Sequence, residues 1–250
     1  MPPHDCHGVA MVMVLLLAGT ILSMGCTRLE ADLEDIILFH TTPMDVCTPE
    51  SSLPHHGSAM LFAEAERQLA GMTRSTYTHD TSVDEENGTY EYDCSGFVGY
   101  ALSRADPCTF RVLLHERPNA AQFYYHLEKF TDVPGKGAWM RVATPLELLP
   151  GDIIVWLKPD DSDAKSTGHI MVVAGKPERN PLREGEILVR VIDSTTSGHA
   201  DDTRASGQTG LGKGTIGIMT DQSGLPIGYF WRGGESKILQ ETEMAFARIA

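Results

Sequence analysis

The hydrophobic positions change period part-way along the chain. Over residues 58–72 the apolar side chains fall at Leu61, Phe62, Ala65, Leu69 and Ala70, the spacing of one helix face, and the run stops at Gly71. A polar stretch at 80–88 reads as a loop, after which Asp93 can cap a second helix with the stripe Phe97, Val98, Ala101 and Leu102. A third helix is expected over 119–130. Beyond Gly135 short apolar runs alternate with turn chemistry such as Pro150-Gly151-Asp152, and strands are expected at 152–157, 168–174, 186–193, 215–220 and 227–232. Helices followed by strands point to an α+β domain over 57–235, with helices packed on an antiparallel β-sheet. The polar segment 197–214 has no period of its own, and loops of that length inside a domain are mostly functional or disordered. Its Gly210-Leu211-Gly212-Lys213-Gly214 lacks the preceding strand and following helix that a phosphate cradle needs.

The ends differ from the middle. Residues 8–25 carry no charge and run into Cys26, which suits an export h-region, so 1–26 is expected to be a leader. Gly25-Cys26 resembles a bacterial lipoprotein signal, which implies a lipidated Cys26 as the mature N-terminus; an uncleaved anchor is the alternative. Either version puts the domain outside the cytoplasm, in the cell envelope. Residues 27–56 are acidic, then rich in Thr, Pro and Ser, and read as a tether; 236–250 read as a C-terminal tail. Of the 5 cysteines, Cys6 and Cys26 fall in the leader. If Cys94 is a free thiol, Cys47 and Cys108 remain, and an oxidising compartment permits a disulfide between them.

Charge narrows the choice of partner. With Lys and Arg numbering 20 against 34 Asp and Glu, and a net charge of -14, the chain lacks the basic stripe that binds phosphates, so nucleic acid is not expected as a partner and a membrane is met only through the N-terminal anchor. Recognition must come from a local site. Asp160-Asp161-Ser162-Asp163 lacks the Gly turn and closing Glu of a calcium loop and reads as a solvated stretch. No cluster with metal-ligand spacing is apparent, and no metal or cofactor is expected.

The hexapeptide Asp93-Cys94-Ser95-Gly96-Phe97-Val98 is the most informative stretch. With Asp93 as N-cap, Cys94 takes the first helical position, where unpaired N–H groups and the positive dipole end favour a thiolate. Taken alone, a Cys at a helix start is more often a small buried residue. Thr167-Gly168-His169 then opens an apolar strand on which His169 shares a face with Met171 and Val173. An imidazole there could take the proton of Cys94 and form a thiolate–imidazolium pair. Asp193, ending the next strand on the face of Val189 and Val191, is the candidate that orients the imidazole; a strand-end cap is its alternative role, and His199 is the second candidate.

These three motifs in this order, Asp-Cys-Ser-Gly-Phe-Val, Pro-Gly-Asp before a strand, and Gly-His opening the next, resemble the NlpC family of bacterial cell-wall cysteine peptidases over about 61–232. The resemblance implies a papain-like fold, with the Cys at a helix N-terminus and the His on a strand. It implies Cys94 and His169 as the catalytic pair, with Asp193 third. It also implies a cleft-lining Tyr, for which Tyr77 is the candidate and Tyr90 or Tyr92 the competitors, with Ser95 and Gly168 as further substrate-binding positions. The substrate implied is a peptidoglycan peptide, opened at an amide bond. The chain departs from the family in lacking Trp-Gly-Gly after the Tyr, in the extra length between Cys94 and His169, and in the 197–214 segment. An amidase or acyltransferase on another amide or ester, and a non-catalytic wall-binding module, therefore stand beside the peptidase reading.

Overall fold

The computed structural model describes residues 56–130, 139–158 and 166–250. Helix α1 (His56–Gly71) leads into three short strands, β1 (Arg74–Thr76), β2 (Ser82–Asp84) and β3 (Thr89–Glu91). Helices α2 (Cys94–Ala105), α3 (Pro107–Arg111) and α4 (Ala120–Leu127) follow. The remaining strands are β4 (Trp139–Val142), β5 (Ile153–Leu157), β6 (Gly168–Val173), β7 (Glu178–Arg179), β8 (Glu186–Thr195), β9 (Gly210–Thr220), β10 (Pro226–Phe230), β11 (Gln240–Glu241) and β12 (Met244–Ile249). The main sheet runs β11-β10-β9-β8-β6-β5-β12-β4, with every neighbouring pair antiparallel and β7 paired to β8 off this path. The protein is thus α+β.

Strand periodicity divides the core in two. Ile153, Val155, Ile170, Val172 and Ile192 face the helices, where they meet Leu61, Phe97, Leu102 and Phe123. The alternate residues Ile154, Trp156, Met171, Val173, Val189 and Val191 form a second cluster with Ile216, Ile218 and Phe246. Burial on both faces explains why β5 and β6 are continuous apolar runs and not alternating ones. The sheet curls so far that β10 contacts β12, which lies five places away in strand order. Each fully buried side chain such as Phe97 or Leu102 stabilises the fold by roughly 1.5–3 kcal/mol.

Several expectations are corrected. The polar loop at 80–88 contains β2, part of a three-stranded sheet ordered β1-β3-β2, whose strands of 3 residues each are too short for periodicity to register. The C-terminal stretch 236–250 is not a tail: β12 lies between β5 and β4, with Phe246, Ala247 and Ile249 buried. Strand β9 starts at Gly210, five residues before the expected 215, because glycines hid the strand pattern. Pro150-Gly151-Asp152 does structural work. Gly151 sits at φ +91, where a side chain would collide with the Ser58 carbonyl. Asp152, fully buried, accepts from Arg248 Nη2 at 2.7 Å, from Leu149 N at 2.8 Å and from Ser58 Oγ at 3.2 Å, tying α1 and β12 to β5. The expected leader, the tether up to residue 55, Cys47 and Asp160 to Asp163 lie outside the described residues. Among the described residues no helix is long and apolar enough to cross a membrane.

Candidate functional site

Cys94 opens α2, and the cap that starts this helix fixes its place. Asp93, in extended backbone, accepts from Gly96 N at 2.7 Å and from Ser95 Oγ at 2.9 Å. His79 Nδ1 at 3.1 Å and Arg117 Nη2 at 3.1 Å hold the same carboxylate from outside. Burial opposes the charge on Asp93, but the Gly96 N–H and the other donors outweigh it and keep the carboxyl below its usual range. Gly96 leaves room for this shell, since a Cβ there would stand 2.6 Å from Thr81 Oγ1 and 3.1 Å from Arg117 Nη2. Cys94 is a free thiol, 5% exposed. Cys108 is engaged in a disulfide.

His169 comes from β6, opposite Trp156 in the β5 register. Its Nε2–H donates to Asp193 Oδ2 at 2.6 Å, and α2, which Cys94 opens, packs against β6. Burial alone would push this imidazole down; the charge at Cys94 and the hydrogen bond to Asp193 raise it instead to about 10. Asp193 is completely buried, yet the charge of His199 and the hydrogen bond from His169 hold it well below the carboxylate range. The expectation that neighbouring strands bring Asp193 to His169 therefore matches the geometry.

His199 joins the site through Asp193. Its Nε2–H donates to Asp193 Oδ2 at 2.9 Å and its Nδ1–H to the Trp231 carbonyl at 3.0 Å. Both ring nitrogens face oxygens that can only accept, so neither is left to act as a base. The ligand atoms of His169, Asp193 and His199 lie within 4.8 Å of one another. Each histidine N–H is already spent on Oδ2, and the Arg204 guanidinium occupies Oδ1 at 2.9 Å. A cation beside the shared carboxylate disfavours a second one, and the trio reads as a hydrogen-bonded cage.

A cleft of about 310 Å3 opens over His169, lined among others by Tyr77, Gly168, Trp156, Tyr229 and Trp231. Trp156 stacks on Tyr229 at 4.1 Å, while Trp231 lies edge-on to His169 at 5.1 Å. Tyr77 is half-buried, and burial together with the negative charges of Cys94, Asp93 and Asp193 pushes its hydroxyl well above the ordinary range. It stays a proton donor at working pH. Tyr90 and Tyr92, the competitors, are core residues; Tyr92 donates to Gln68 Oε1 at 2.9 Å and packs on Phe97. Ser95 is buried in the Asp93 cap and does not line the cleft. Gly168 does line it, at φ +150, where a Cβ would strike the Trp156 carbonyl.

No family model matches the sequence. Over 162 residues the chain is 32% identical to the uncharacterized protein R653 of Acanthamoeba polyphaga mimivirus, an alignment that spans 56% of this chain and 67% of the viral one. The chain belongs to the R653 family. The name of that viral relative specifies no activity, so the chemistry is read from the site itself. Sequence reading did not find Arg204, Arg117 or the aromatic wall. Arg204 had one readable signal: the glycines at 210, 212 and 214, spaced two apart, mark one strand face stripped of side chains.

Proposed function

We propose that this protein is a papain-like cysteine hydrolase that opens amide bonds in peptidoglycan peptides. The observation that carries the reading is a free thiol at the start of a helix packed on β6, the strand whose imidazole is held at 2.6 Å by a buried carboxylate. The Cys94 thiolate, paired with the protonated His169, attacks the carbonyl carbon, whose C=O π electrons move onto the oxygen. The tetrahedral oxyanion meets the Cys94 backbone N–H, an orphan donor of α2, and the Tyr77 hydroxyl, which lines the same cleft, is the side-chain candidate for a second donor. His169 then gives its proton to the leaving amine. Water, deprotonated by His169, attacks the acyl carbon, and breaking the C–S bond releases the acid and restores the thiolate–imidazolium pair. Asp193 keeps the ring oriented throughout.

The substrate class follows from the resemblance of the Asp93 to Val98, Pro150 to Asp152 and Gly168-His169 motifs to the NlpC family. The disulfide at Cys108 supports an exported, oxidising setting, in keeping with a lipidated Cys26 or an uncleaved leader. A second reading, acyl transfer or hydrolysis on another amide or ester, is favoured by the aromatic wall of Trp156, Tyr229 and Trp231 and by the adjoining hollow of about 440 Å3 that reaches Ile238. Digestion of purified sacculi, read by mass spectrometry with Cys94→Ala as control, tests the proposal. New muropeptides from the wild type alone are expected. Unchanged muropeptides from a protein whose Cys94 still reacts with thiol reagents would reject the peptidase in favour of the second reading, and equal cleavage by Cys94→Ala would reject the mechanism.

A further inference from the structure

Segment 197–209, which has no counterpart in the motifs above, folds back onto Asp193. Arg204 is 8% exposed and spends its whole guanidinium inside the protein. Nη2–H donates to Asp193 Oδ1 at 2.9 Å and to Asp202 Oδ2 at 2.9 Å, Nε–H donates to Asp202 Oδ1 at 2.8 Å, and Nη1–H donates to the Gly210 carbonyl at 2.8 Å. Asp202 Oδ2 also accepts from His199 N at 2.7 Å, so one carboxylate positions both Arg204 and His199. The two carboxylate oxygens of Asp193 are thereby divided: Oδ1 belongs to Arg204, Oδ2 to His169 and His199. A carboxylate held on both edges cannot rotate, and a planar guanidinium fork suits this hold better than an ammonium would.

The strand beneath is shaped for this arginine. Gly212 pairs directly with Asp193 in the β8–β9 ladder, and a Cβ on it would run into Arg204 Nε. At Gly214 a Cβ would stand 2.7 Å from Asp202 Oδ2 and 2.7 Å from the His199 Cβ. Gly212 and Gly214, in the stretch that fails as a phosphate cradle, form a trough in which segment 197–209 lies.

We infer that Arg204, seated on Gly212 and braced by Asp202, is a positioning residue for the His169–Asp193 pair, which makes segment 197–209 part of the site. This rests on the reading of Cys94 and His169 as the reactive pair. The charged and titratable groups facing that pair are Cys94 from α2, Tyr77 after β1, and His199, Asp202 and Arg204 from the segment itself. With Arg204 gone, Asp193 keeps His199 but loses its second edge; the His169 hydrogen bond loosens and the ring proton is held less firmly.

The full chain serves for the test, with two readouts: the rate at which iodoacetamide alkylates Cys94 at pH 7, and the NMR titration of the His169 ring. Arg204→Gln and Gly212→Ala, which displaces the arginine without removing it, are both expected to slow alkylation by roughly 10- to 100-fold and to shift the His169 titration downward. Arg204→Lys, a cation without the fork, should fall between. A folded Arg204→Gln or Gly212→Ala protein with wild-type alkylation and an unmoved His169 titration would overturn the inference. If Arg204→Gln does not fold, Arg204→Lys decides: a wild-type rate and titration overturn the inference, and an intermediate rate supports it. His169→Ala separates the two levels. If it alkylates at the wild-type rate, the Cys94–His169 pairing itself has failed; if it slows while the Arg204 and Gly212 variants do not, only the positioning role has failed.

Discussion

Replacing Asp193 by Asn keeps the volume and removes the charge. Three N–H groups converge on this carboxylate, from His169 at 2.6 Å, His199 at 2.9 Å and Arg204 at 2.9 Å. An amide offers one oxygen. If that oxygen faces the histidines, its NH2 abuts Arg204; if it faces Arg204, the NH2 abuts both imidazole N–H groups. At least one charge-assisted bond is lost, about 1.5–3 kcal/mol, and a buried cation loses half of its compensation, which brings the cost to about 3–5 kcal/mol. For a folded unit of this size that lowers Tm by roughly 6–20 °C. Thermal denaturation measures the loss, and NMR titration of His169 well below Tm reads the chemistry. The ring should titrate clearly below the wild-type value of about 10, because the Asp193 bond and charge both help to raise it. Hydrolysis should fall by roughly 10²–10⁴-fold, the scale seen when an orienting carboxylate is lost from a triad. An Asp193→Asn protein with wild-type Tm and an unmoved His169 titration would refute the buried three-donor geometry.

Other outcomes follow from the same contacts. Asp152→Ala leaves Arg248 as a buried, uncompensated cation and should cost about 3–5 kcal/mol by chemical denaturation, while the folded fraction keeps normal Cys94 reactivity, since Asp152 ties α1 to β12 and not to the cleft. Tyr77→Phe should leave Tm within about 1 °C, because no hydrogen bond of its hydroxyl is lost among the described residues, and lower kcat/KM by roughly 10²–10³-fold, the loss of one oxyanion donor. Stability should also depend on pH. His169 titrates at about 10 in the fold against 6.5 outside it, so its contribution is complete below 6.5 and is lost as pH rises towards 10. The charge of Cys94 is the main group raising that value, so Cys94→Ala should flatten the decline; equal slopes in urea melts of the two proteins would speak against the pairing. At the acid end, Asp193 is held below its ordinary 3.8, and its contribution is present above that value and lost as pH falls through the folded one.

The setting of Cys94 was legible because capping is local chemistry: Asp93 and Gly96 lie within three residues of Cys94, and the helix they start carries its stripe in plain view. His169 and Asp193 were legible through strand parity, which put each on the right face, although the distance between them came only from the fold. Arg204 was hidden because its partners are spread over Asp193, Asp202 and a carbonyl of β9, and no period links them. Strand β12 was missed for a related reason. Its pattern Met244-Ala245-Phe246-Ala247-Arg248-Ile249 carries an arginine where a buried strand should be apolar, and only Asp152, 96 residues away, explains that arginine. The glycines of β9 misled in the opposite direction, since they suppress the apolar signal of a strand while making room for a buried cation.

The most direct measurement is the alkylation of Cys94 by iodoacetamide at neutral pH, mapped to the peptide by mass spectrometry, in the wild type and in His169→Ala. The account expects Cys94 to be modified in the folded wild-type protein, and at least tenfold more slowly once the imidazole is gone, on the scale of positioned proton transfer. Equal rates in the two proteins would mean that His169 does not act on Cys94, and the cysteine hydrolase reading would fall with it.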